Sequence, residues 1–175
     1  ARAFAEAASA AGTDYPEPEQ LDGLDEYPAF SLLKRWMPIL TRDHPELRDA
    51  LRPGGDPRLI EKGFRLMVAG WTSGRLDTGE LETFVHFRDR VQAALADITR
   101  AQGRGKRVAV FTSGGPISMA MQLALELDPA KALNTAWVVV NGSFSEFRYR
   151  ESDALTLVRF NAIPHLRDRA LITYR

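Results

Sequence analysis

The chain has no cysteine. Disulfides and thiolate metal centres are therefore excluded, which fits a cytoplasmic location. Nor is there a surplus of charge, because 23 basic residues face 23 acidic ones. No global field draws the chain to nucleic acid or to an anionic membrane, so any anion site must be built locally. Long apolar runs are missing too, and no segment approaches the roughly 20 residues of a spanning helix. The alanine-rich start carries Arg2 and Glu6 and no cleavage pattern, unlike a secretory leader. Histidine is scarce. His44 stands beside Pro45, His86 flanks an apolar helix face, and His165 lies near the end. No two of them have metal-ligand spacing with a carboxylate, so no metal site is expected.

What is present is ordinary for a globular domain: 175 residues, 45% hydrophobic and 26% charged. One domain with a sizeable core is expected, covering residues 1–175. The chain opens on Ala1-Arg2-Ala3-Phe4, mid-helix in character and uncapped, as if it were part of a longer chain. Residues 1–11 read as a helix closed by Gly12, followed by a Pro- and Asp-rich loop to about Tyr27. A helix from about Pro28 carries Phe30, Leu33, Met37 and Leu40, with Pro38 expected to kink or end it. Asp56-Pro57 reads as an N-cap and first helical residue. Leu59, Ile60, Phe64, Met67, Val68 and Trp71 follow at helical spacing. Asp77 and Glu80 have capping-box spacing before a helix that runs to about Arg100.

The second half changes period. Arg107–Thr112 reads as a strand, 116–127 as a buried helix, and 136–140 as a second strand. Strand, helix, strand implies a parallel βαβ unit and an α/β class. Asn141-Gly142 suits a two-residue hairpin turn. Further strands are expected at 143–149, 154–160 and 170–174. Trp36, Trp71 and Trp137 fall within apolar patterns and need only a packing role.

The point of chemical interest is "RVAVFTSGGPIS", where a strand stops at Gly114-Gly115 and a helix begins. Ligands of open α/β sheets bind beyond such strand ends, and helix-opening amides favour anions. The plainer alternative is that Ser113 caps the helix and the glycines allow a tight turn. A dinucleotide fingerprint fails for want of a third glycine, and a phosphate loop fails for want of Lys-Ser/Thr. A nucleophile elbow has Ser113, Gly115 and the order Ser113, Asp153, His165, but Phe111 stands at its first glycine.

The same stretch, with "NTAWVVVNGSFSEF" and "LTLVRFNAIPHL", resembles the C-terminal half of the histidine phosphatase superfamily, the phosphoglycerate mutase-like fold. Phe160, Asn161, His165 and Leu166 match that family's closing motif. "GLDEYPAF" resembles the segment that supplies its proton donor, which would be Glu26. "ELETFVHFRDRV" resembles the long helix preceding its histidine strand.

The resemblance implies a three-layer fold with a mostly parallel central sheet flanked by helices. It also implies attack on phosphorus by a histidine, no metal or other cofactor, and a small phosphorylated substrate. Ser113, Gly114 and Thr112 would then bind phosphate, with Asn141 and Ser143 near the neighbouring strand end. Residues 28–77 would be a helical insertion covering the site, able to roof a pocket or to bury against a second subunit of a homo-oligomer.

Two departures stand out. No Arg-His-Gly occurs here, so the phosphate-accepting histidine is expected upstream of Ala1. Ser113 also replaces the family's second histidine. A serine donates one hydrogen bond but carries no charge, and losing a cationic donor costs on the order of 10²–10³ in rate. That leaves a phosphomonoester hydrolase, a phosphate-binding relative with little catalysis, and a serine hydrolase as the readings.

Overall fold

Three amphipathic helices make the core. The computed structural model describes residues 1–13, 16–50, 52–102, 105–150 and 154–174. Helix α1 (Arg2–Ala10) lies on the surface with no buried residue. Helix α2 (Ala29–Asp43) buries Leu32, Leu33, Trp36, Met37 and Leu40 along one face. It does not end at Pro38 but continues five residues beyond it. Pro38 is exposed, so the carbonyl it leaves unbonded is on the solvent side.

Helix α3 (Pro57–Thr72) starts as expected, with the Asp56 carboxylate accepting from the Arg58 amide at 2.9 Å. It buries Phe64, Met67, Val68 and Trp71 against α2. Helix α4 (Phe84–Gln102) completes the core with Phe84, Phe87 and Val91. Its start is not the expected capping box. Asp77 accepts from Gly79 in a turn at 3.0 Å, and Thr83 Oγ1 accepts from the His86 amide at 3.2 Å. Asp77 also ties α2 down, its carbonyl accepting from Trp36 Nε1 at 2.7 Å.

Helix α5 (Gly114–Leu125) buries Met119 and Met121 and ends on Glu126 in the left-handed conformation. Helix α6 (Pro129–Asn134) is short and capped by Asp128. Strands β1 (Phe144–Tyr149) and β2 (Leu155–Ala162), close to where strands were expected, form an antiparallel pair. Across it Arg159 pairs with Glu146 at 3.0 Å.

The expected parallel unit is not seen among the described residues. Residues 107–112 form no strand, and Val108, Val110 and Phe111 stay exposed. The second stretch folds as a 3₁₀ turn, Thr135–Val138, and Val140 makes one antiparallel bridge to Tyr174. The physical reason is a missing ladder. A strand is held by neighbours that take its amides and carbonyls, and no described segment pairs with 107–112. Of 170–174, only Tyr174 makes a bridge, after a 3₁₀ turn at Arg169–Leu171. The class is therefore α/β in content, with a two-stranded sheet.

The segment 28–77 spends its apolar faces in the core with Phe87 and Val91. No described helix is long and apolar enough to cross a membrane.

Candidate functional site

The start of α5 is where the chain concentrates polar groups. Ser113 occupies the N-cap position but makes no side-chain capping bond, which removes the capping explanation for this serine. The first amides of any helix lack intrahelical acceptors. Here the Gly115 amide donates to Glu26 Oε2 at 3.1 Å, so a carboxylate 89 residues away closes the helix end. The second glycine is there for that approach. A Cβ on Gly115 would lie 2.0 Å from Glu26 Oε1 and 2.9 Å from the Tyr27 ring. On Gly114 it would meet Ala136 Cβ at 3.1 Å, where α5 abuts the 3₁₀ turn.

Glu26 is held from both sides. Its neighbour Tyr27 stacks on Trp71 at 4.7 Å and meets Phe87 at 5.2 Å between ring centroids. Thr112 Oγ1 donates to the Leu24 carbonyl at 2.7 Å, so this hydroxyl's hydrogen anchors the turn before Glu26. The Arg90 guanidinium donates through Nη1 to the carbonyls of Asp22, Gly23 and Asp25 at 3.3, 3.0 and 2.8 Å. Its other nitrogens clamp Glu82, Nε to Oε1 at 2.6 Å and Nη2 to Oε2 at 2.9 Å. Burial alone would raise the Glu82 carboxyl, but the hydrogen bonds and charge of Arg90, with His86 adding to them, hold it below the ordinary value. The hydrogen bonds from Glu82 in turn push Arg90 above its usual range.

In front of α5 lies a cleft of ≈260 Å³. One wall is Thr112, Ser113 and Gly114, with Ile117 below. Facing it stand Val139, Asn141, Gly142 and Ser143. None of the lining residues is charged. A turn stands at Asn141-Gly142, with Ser143 N donating to the Val140 carbonyl at 3.0 Å and Gly142 at φ +77°, but not the expected hairpin, because Val140 bridges Tyr174 while β1 pairs with β2. It also forms part of the cleft, so the turn and the lining are one feature.

Asn161 fixes this wall. Its Oδ1 accepts from the Val140 amide at 2.9 Å and its Nδ2 donates to the Val138 carbonyl. The sequence singled out Asn161 only as part of a motif; its task is to hold the segment opposite Ser113.

The structure thus brings Glu26, Thr112, Ser113 and Gly114 to one helix end. Glu26 sits behind it on Gly115, and the other three line the cleft. The histidines lie elsewhere. His44 faces Glu46 at 3.6 Å, His86 bonds Glu82 at 2.8 Å on the surface, and His165 lies against Phe144. Asp153 is outside the described residues. No histidine lines the cleft beside Ser113. Trp36 and Trp71 are core residues, while Trp137 is partly exposed, edge-on to Phe64 at 5.2 Å. Arg90 escaped the sequence reading. An arginine on an amphipathic helix looks like a solvated flank, and the carbonyls it bonds are 65 to 68 residues away.

An uncharged cleft thus lies at the N-terminus of α5, with the Glu26 carboxylate on the Gly115 amide, in a protein of α/β content. The family model of the histidine phosphatase superfamily (branch 1) matches residues 1–163. The chain belongs to that superfamily, which points to phosphatase or mutase-like activity. No curated protein and no solved structure matches it significantly.

Proposed function

We propose that this chain forms the substrate and proton-donor half of a cytoplasmic phosphomonoester hydrolase with the three-layer parallel architecture of its superfamily. On this reading the phosphoryl group of a small substrate lies in the cleft. Ser113 donates from its hydroxyl and α5 presents its opening amides, of which Gly114 is the first on the cleft wall. Thr112, its hydrogen committed to Leu24, keeps the turn in place and offers only its oxygen. A histidine supplied by sequence outside these 175 residues attacks phosphorus, and the P–O bond to the alkoxide breaks. Glu26, protonated, gives its proton to that alkoxide, and water then cleaves the phosphohistidine. Catalysis is chiefly positioning and electrostatics, so no metal has a task in it. The observation that carries the reading is the Glu26 carboxylate held at the α5 N-terminus, beside the cleft wall of Ser113 and Gly114.

Leaving-group dependence tests it. In the protein with its histidine in place, Glu26→Gln should slow an alkyl phosphate about 10²–10⁴-fold and leave an aryl phosphate nearly unchanged, because a phenolate departs without a proton. Equal slowing of both esters would remove Glu26 from the role.

The uncharged cleft wall supports a second reading, in which the protein binds phosphate esters and turns them over poorly. Failure to form an acid-labile phosphoenzyme, with phosphate binding retained, would establish that reading instead.

A further inference from the structure

Arg90 does not line the cleft, yet it is the hub of the turn that carries Glu26. One guanidinium spans two tasks. Two of its nitrogens grip the Glu82 carboxylate, and the third reaches three carbonyls of residues 22–25. Its side chain is 18% exposed and that of Glu82 is 14%, so water competes poorly for these bonds. The turn is also seated sterically on the same helix. A Cβ on Gly23 would lie 2.8 Å from Ala94 Cβ and 3.1 Å from the Arg90 carbonyl. Phe87 lies under the guanidinium, its ring centroid 4.9 Å from Cζ, and the same ring packs on Tyr27.

We propose that Arg90 is a positioning residue: by pulling three carbonyls of the 22–25 turn onto α4, it sets the carboxylate of Glu26 on the Gly115 amide. This rests on the reading of Glu26 as proton donor, and it names the residue that determines where that donor stands. A lysine cannot replace the arginine there. Its single ammonium cannot grip both carboxylate oxygens and reach the carbonyls on the far side.

The Gly115 amide is a local reporter. It stands in the first turn of α5, where amides have no intrahelical acceptor, so its protection comes from Glu26. Hydrogen exchange followed by NMR on the 175-residue chain should show Gly115 exchanging about tenfold faster, or more, in Arg90→Lys and Arg90→Met. The Val91 amide, in the middle of α4, reports any global loss of stability. Arg88→Met is the control, since it removes from the same helix a charged side chain whose hydrogen bond among the described residues goes to Asp89.

Gly115 acceleration beyond that at Val91, absent in Arg88→Met, supports the assignment. Unchanged Gly115 exchange, or acceleration no greater than at Val91, overturns it. Should Arg90→Met fail to fold, Arg90→Lys carries the test alone. In the active protein, Arg90→Lys should reproduce the selective loss on alkyl phosphates. If Gly115 responds to Arg90→Lys while Glu26→Gln slows alkyl and aryl esters equally, the proton-donor reading fails and the positioning of Glu26 stands.

Discussion

Gly115 shows how one missing methyl group decides what a site contains. With Glu26 Oε1 2.0 Å from where a Cβ would sit, alanine at this position expels the carboxylate. The Gly115 amide then loses its acceptor, and Glu26 loses its hold on α5. Gly115→Ala should cost about 1–3 kcal/mol of stability, the range for an unsatisfied buried donor. Glu26→Ala removes the same bond from the other side. The two changes should therefore be far from additive, the double variant costing little more than the worse single one. Urea midpoints of the four proteins measure this, and additive losses would show that the glycine and the carboxylate are independent.

At the scale of elements, Arg90 on α4 ties the core to the 22–25 turn and to Glu82 just ahead of the helix. Because the folded Glu82 carboxyl is held below its ordinary 4.5, the unfolded chain binds more protons in that range. The unfolding free energy therefore rises with pH there. The contribution is complete above about 4.5 and is lost as pH falls through the lower, folded value. Glu82→Gln should be less stable at neutral pH, yet lose less stability on acidification from pH about 6 to about 3. A residual acid slope should remain, since Lys62 lowers Glu46 and the Gly79 amide with Arg35 lowers Asp77. The raised Arg90 works on the strongly alkaline side and does not enter this window. An acid-side slope equal to that of the parent would mean that the Glu82–Arg90 pair is not coupled to folding.

Across the whole molecule, legibility follows the range of the forces involved. The helices could be read from sequence because their periodicity and caps are local: Asp56 caps as its position suggests, and the faces of α2, α3 and α4 face the core as patterned except at Phe30, which is 71% exposed. Glu26, Ser113 and Gly114 could be named through motif resemblance, yet their arrangement could not. The bond from Gly115 to Glu26 and the clamp from Arg90 join residues more than 60 apart. The misjudged strands are of the same kind. A strand is a property of its neighbours, and "RVAVFT" carries strand composition without a described partner.

That difference is measurable. In this chain the amides of 107–112 should exchange almost unprotected, while the paired residues of β1 and β2 exchange slowly. Val108, Val110 and Phe111 remain exposed on the same grounds. Protection of 107–112 comparable to that of β1 would show that this stretch does find a ladder in solution. The parallel sheet implied by superfamily membership would then assemble around Ser113, and the cleft would have a rigid strand end as its floor. Unprotected amides would mean that the Glu26 turn, tied to Thr112 and Arg90, is what keeps the start of α5 in place.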